Sequence, residues 1–197
     1  MDVIHSAKTL IGHALRPFHA GGEKLASNDQ QISRAGGIED FLDVESVVFE
    51  ADGPIPRKYS GEGENVSPPL RWSGIPAGAK ELVLICEDPD APKAEPYIHW
   101  VLYGLSAQQT SLPEGIPATE SLAMLGGFRQ GRNSAGKIGY TGPMPPIGHG
   151  VHRYHFQLFA LFEATGLSNH PDRDELIDAM SGHVLALGDL VGTYERT

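Results

Sequence analysis

The chain has 197 residues, 25 of them acidic against 15 Lys or Arg, which gives a net charge of −10. That balance removes nucleic acid and anionic membrane surfaces as main partners, since both demand a basic footprint. With 40% hydrophobic residues and a single cysteine, Cys86, the composition points to a folded protein with its own core, no intramolecular disulfide and no cysteine-built zinc site. No apolar run reaches the ~18–20 residues of a membrane span. The N-terminus lacks the basic start, apolar block and cleavage site of a signal peptide, so the expected location is cytoplasmic.

In chain order, Ile4, Ile11, Leu15 and Phe18 recur at helix-compatible spacing and Pro17 ends or kinks that helix. A polar, Gly-containing stretch follows to Gly37. The pattern predicts an N-terminal helical extension and loop over residues 1–40, ahead of a β domain over 41–197. The apolar stripe of the extension is expected to pack on the β domain or on a second subunit, which makes a homodimer a candidate assembly. Residues 44–49 alternate as a strand does. Lys80 to Cys86, Ile98 to Tyr103 and Tyr154 to Phe162 are short apolar runs rich in β-branched and aromatic residues, and all read as strands. The last is apolar on both faces, as a covered central strand should be. Leu190 to Tyr194 reads as a closing strand. Between these runs, Asp172 and Glu175 form a capping box. Leu176, Met180, Val184 and Leu187 then make a helical stripe that Gly188 would terminate. Strands joined by Pro- and Gly-rich loops, without regular βαβ alternation, predict a mainly β protein. The expected form is an antiparallel two-sheet sandwich with a few peripheral helices.

Nucleophile elbows, P-loops, HExxH helices and EF-hand loops are all missing from the sequence. Chemistry-bearing residues cluster instead where strands begin and end. Asp88 and Asp90 sit in Asp88-Pro89-Asp90-Ala91-Pro92, on one side of an extended chain held stiff by its prolines. Their plain reading is a turn whose carboxylates accept local N–H groups. Tyr97 and His99 share a strand face, and a buried His99 needs a hydrogen-bond partner. Pro146, His152 and Tyr154 lie in Pro145-Pro146-Ile147-Gly148-His149-Gly150-Val151-His152-Arg153-Tyr154, where the glycines permit close approach of a ligand and can present N–H groups to an anion.

Taken together, these clusters resemble the phosphatidylethanolamine-binding protein family, in its bacterial Raf kinase inhibitor-like branch. The resemblance rests on ENVSPPLRW at 64–72, DPDAP at 88–92, His99-Trp100, LPEG at 112–115, Arg132-Asn133 with GYTGP at 139–143, and PPIGHGVHRY at 145–154. It spans roughly Val44 to Arg196 and leaves the first forty residues outside. It implies a β fold of two sheets with a small preformed pocket for phosphate or a phospho-headgroup, walled by Asp88, Asp90, Tyr97, His99, Pro146, His152 and Tyr154. Tyr97 stands where the family often has tryptophan. No cofactor or metal is implied. A protein partner, a kinase or a protease, is implied by the family's inhibitory members, and fold membership alone cannot choose among such roles.

A phosphate beside two aspartates is acceptable if histidines intervene. An imidazole backed by a carboxylate can donate its other N–H to an anion as a charge-assisted bond. The expected role is therefore a non-catalytic ligand-binding or regulatory protein. The alternatives are an inhibitor that acts through its surface, or a hydrolase that uses the Asp/His cluster as ligands or as acid and base. An accessible pocket would let His152 be truncated with little loss of stability.

Overall fold

The computed structural model describes residues 3–15, 17, 19–33, 40–119, 122 and 125–197. Helix α1 (Val3–Leu15) and the single turn α2 (Gln30–Ser33) precede the strands β1 (Asp40–Phe41), β2 (Asp43–Glu45), β3 (Leu70–Ser73), β4 (Glu81–Asp88), β5 (Tyr97–Ser106), β6 (Ser111–Leu112), β7 (Arg129–Gln130) and β8 (His152–Leu161). Helix α3 (Arg173–Met180) and β9 (Val184–Tyr194) complete the chain. Six strands pair in the order β1-β9-β8-β4-β5-β7, and β2-β3-β6 form a second sheet. All pairings are antiparallel except the two-residue contact of β1 with β9. The protein is thus mainly β, with two sheets and few helices, as expected.

Every residue of β4 is buried, because each face of the large sheet carries a different cover. On one face, Leu84, Trp100, Phe156 and Leu158 meet Val44, Leu70, Trp72 and Leu112 of the small sheet. On the other, Val83, Ile85, Val101 and Phe159 pack under Leu176, Ile177 and Met180 of α3 and under Ala26 and Ile32 of the N-terminal segment. Burial of this kind, at ~25 cal/mol per Å² of apolar surface, is what holds the layers together.

The segment 20–33 is fixed on that second face by polar bonds. Glu87, fully buried, accepts from the Ala26 N–H at 2.7 Å and from Gln157 Nε2, and it pairs with Arg173 Nε at 2.7 Å. Gln157 Oε1 accepts from the Ser27 N–H, and Arg173 Nη2 donates to the Lys24 carbonyl.

Two expectations are corrected. The helix after Asp172 has its capping box but ends at Met180. A turn through Gly182 at φ +77° reverses the chain, and Val184 and Leu187 belong to β9, where the ladder with β8 outweighs the helical spacing. Gly188 does not stop a helix. It lies within β9, where a Cβ would stand 2.4 Å from the Leu42 carbonyl oxygen, so it admits the crossing from β1 to β2. The strand expected over 44–49 is only Asp43–Glu45.

The stripe expected on α1 does not pack on the β domain at Ile11. Leu10 and Ile11 are 74% and 60% exposed, and Leu15 is half-buried. Phe18 and the side chain of Ile4 fall outside the described residues. The packed face is the small one, centred on Gly12, which is buried against the loop at 147–149. A glycine inside a helix costs about 1 kcal/mol relative to alanine, and here that cost accompanies a backbone-to-backbone contact.

Candidate functional site

The site forms where β4, β5 and β8 reach the same end of the large sheet. A cavity of about 240 Å³ is lined by Asp88, Ala91, Pro92, Lys93, Tyr97, His99, Thr141, Gly142, Met144, Pro145, Pro146 and His152. Of the seven residues expected from sequence, Asp88, Tyr97, His99, Pro146 and His152 line it directly. Asp90 and Tyr154 stand just outside.

His99 owes its position to a β-bulge. Cys86 lies opposite Trp100 and Glu87 opposite Ile98, so His99 is the extra residue on β5. Bulges of this kind re-aim a side chain at the end of a strand. The ring is buried, and its Nδ1 meets the Thr141 carbonyl oxygen at 2.5 Å. A carbonyl only accepts, so Nδ1 carries the hydrogen and Nε2 is the ring's free acceptor. Burial pushes the His99 imidazole below its ordinary value; the nearby Asp88 charge and the Thr141 bond oppose that shift without cancelling it. The ring is accordingly neutral at pH 7.

Asp88 has both carboxylate oxygens occupied. Oδ1 accepts from the Asp90 N–H at 2.8 Å and Oδ2 from His152 Nδ1 at 2.7 Å. His152 Nε2 in turn lies 2.6 Å from His149 Nδ1. Asp88, His152 and His149 form one buried relay, and His149 Nε2 at its end has no partner among the described residues. Asp90 turns away from the cavity. It takes Arg153 in a two-pronged pair, Nε to Oδ2 at 2.8 Å and Nη2 to Oδ1 at 2.7 Å, and also accepts the Arg153 N–H. Burial would raise the Asp90 carboxyl, but the Arg153 bonds hold it below the usual carboxylate range.

Tyr154 is buried behind the cavity wall. Its ring meets His99 edge-on at 5.0 Å between centroids, and its hydroxyl has no partner among the described residues. Burial first, then the Asp88 charge, push that phenol far above its ordinary value, so it remains a donor. Tyr97 lies at the rim, 4.9 Å from the His99 ring, with Lys93 Nζ 4.9 Å above its own centroid. Lys93 is an exposed cation at the cavity mouth that sequence reasoning passed over. Its position directly after the DPDAP motif was the available signal. Thr141 and Met144, from the loop that follows Arg132-Asn133, were also missed as lining residues.

Two N–H groups of the glycine loop are committed within the protein. The Gly148 N–H donates to the Arg196 carbonyl and the His149 N–H to that of Pro146. The loop serves as a wall, held by Arg196 Nη1 on the Pro145 carbonyl at 3.1 Å.

No metal-competent group of three His, Cys, Asp or Glu side chains occurs among the described residues, and none of their helices is long and apolar enough to cross a membrane.

The model of the phosphatidylethanolamine-binding protein family matches residues 45–195. A UPF0098 protein of Pyrococcus abyssi is 46% identical over 161 residues, which cover 82% of this chain and 89% of that one. A crystal structure from Chlamydia trachomatis, described as a homologue of the same family, has 39% identity and a TM-score of 0.72 over 81% of this chain and all of its own. Escherichia coli YbcL, described as a member of the mammalian family, reaches a TM-score of 0.74 at 28% identity, over 79% of this chain and 99% of its own. The bulged His99, the Asp88–His152 pair and the proline wall therefore sit within a matched region that covers most of the chain, and the protein belongs to the phosphatidylethanolamine-binding protein family.

Proposed function

We propose that the cavity binds a small oxyanion, phosphate or the phosphate of a headgroup, and that the protein is a ligand-binding module. The observation that carries this reading is the state of His99. Its Nδ1–H is committed to Thr141, which leaves Nε2 as the acceptor of a ring that lines the cavity. An arriving anion draws a proton onto Nε2, and the resulting imidazolium bridges the Thr141 carbonyl and the anion through two N–H groups. Lys93 supplies a fixed positive charge at the mouth. The charge of Asp88 is partly offset by the bonds it accepts from the Asp90 N–H and His152 Nδ1. The Tyr154 hydroxyl behind His99 is a neutral donor in reserve.

A hydrolytic reading draws no support from the relay. His152, the ring that a carboxylate orients, has Nε2 engaged by His149. It therefore has no bare nitrogen with which to take a proton from water or a hydroxyl group.

Calorimetric titration with sulfate tests the proposal, because sulfate keeps its charge across the working range while phosphate does not. Binding should strengthen from pH 7.5 to pH 5.5. The variant His99→Gln should lose about 10- to 100-fold in affinity at the lower pH, the worth of one hydrogen bond to a charged group. Affinity independent of pH, or unchanged in His99→Gln, would refute this donor.

A further inference from the structure

The N-terminal segment precedes the family match, which begins at residue 45, yet it touches both motifs that wall the cavity. We infer that α1 and the turn after it are positioning elements of the pocket, bracing its two walls from outside. A Cβ on Gly12 would fall 1.9 Å from the Ile147 carbonyl oxygen and 2.8 Å from the His149 nitrogen. On the facing side, Gly148 has φ +77°, and its Cβ would fall 2.9 Å from both Cγ2 and the carbonyl oxygen of Thr9. Helix and loop thus meet backbone to backbone, with each surface contributing a glycine. Farther on, the Gly21 N–H donates to the Pro89 carbonyl at 3.2 Å, between Asp88 and Asp90.

Both contacts lead to the same carboxylate. From the loop, His149 passes to His152 and His152 to Asp88, at 2.6 and 2.7 Å. From Pro89, the chain itself passes to Asp88. The same loop carries Pro145 and Pro146, which line the cavity. A seated α1 therefore holds the proline wall and the relay in register, and an unseated helix releases both. The affinity part of this inference rests on the anion reading; the positional part does not.

The test uses the full-length chain with Gly12→Val, whose branched side chain cannot occupy the contact. Thr9→Tyr is a second variant that disturbs the same contact at the half-buried residue facing Gly148. Leu10→Ser, on the solvent face of the same helix, and Gly22→Ala, where a Cβ meets nothing within 4 Å, are controls. Two readouts are taken: sulfate affinity by calorimetry, and the imidazole signals of His149 and His152 by NMR, with His183 as an internal reference. Both disruptive variants should weaken sulfate binding at least several-fold and move the His149 and His152 signals while His183 stays in place. Both controls should match wild type. Wild-type affinity together with unmoved His149 and His152 signals in Gly12→Val and Thr9→Tyr would overturn the inference and leave the anion reading intact. If the wild type itself binds no sulfate, the anion reading falls and the imidazole signals alone decide the bracing.

Discussion

Asp88 and His152 meet through Oδ2 and Nδ1 at 2.7 Å, with side chains only 4% and 1% exposed. The pair touches the cavity yet belongs to the interior. His152→Ala therefore does more than empty a pocket: it strips the Asp88 carboxylate and His149 Nδ1 of their partners. Removing one member of a buried pair costs roughly 3–5 kcal/mol. The condition on which a truncation at His152 would cost little, a solvent-accessible side chain, is not met. Denaturant unfolding should show the loss as a lower midpoint at an unchanged m-value. A midpoint equal to wild type would mean that the pair contributes nothing to folding.

His99 gives a pH dependence of defined sign. Burial lowers its folded value below the ordinary ~6.5. The unfolded chain then binds the proton more readily. The contribution of His99 to stability is complete above the ordinary value and is lost as pH falls through it toward the folded one. An anion that stabilises the imidazolium reverses this trend. The increase in melting temperature on adding sulfate should therefore widen as pH drops from 7.5 to 5.5, and His99→Gln should abolish the widening. A sulfate effect of constant size in the wild type would contradict the assignment.

Arg173→Met isolates the anchor beneath the N-terminal segment. Glu87 is fully buried and keeps its bonds from Ala26 and Gln157, but its only cationic partner among the described residues is Arg173. The expected loss is about 3–5 kcal/mol. The double variant Glu87→Gln with Arg173→Met removes both charges and should recover part of that loss. Chemical denaturation of the two single variants and the double variant measures the coupling directly.

The core makes a simpler demand. Leu84 and Leu158 stand opposite each other in neighbouring strands and are fully buried. Either Leu→Ala substitution should cost about 2–5 kcal/mol, depending on how far the surroundings close over the void. Thermal unfolding checks it, and a loss below 1 kcal/mol would place these side chains outside the packed core.

How much of this was legible in the chain depended on the range of the forces. The long strands announced themselves through β-branched and aromatic runs, because each is buried along most of its length. The strands β3, β6 and β7, of two to four residues, carry too few side chains for any period to show. β9 was foreseen only at its end, since Leu176, Met180, Val184 and Leu187 satisfy a helical period by coincidence. Only pairing with β8, a non-local bond pattern, decides against the helix. At the site, the motifs identified Asp88, His99 and His152 through their residue types. The placement of His99 depends on a bulge that strand parity cannot reveal. The diversion of Asp90 to Arg153 depends on a partner 63 positions away. Ile11 of the α1 stripe stays out of the core, because the face of that helix that packs on the β domain is marked by a missing side chain, Gly12.

Cys86 stands in the C-terminal half of β4, flanked in the sheet by Trp100 on β5 and Phe156 on β8. It is buried, and burial first, then the neighbouring Glu87 and Asp88 charges, push its thiol well above the ordinary value. The thiolate is the nucleophile that attacks an alkylating reagent and displaces its leaving group, so labelling must wait until the central strand is laid open to water. With no second cysteine in the sequence to contribute a background, the native chain carries its own molecular clock. The fraction alkylated after a fixed time counts openings of the sheet centre, with no probe introduced.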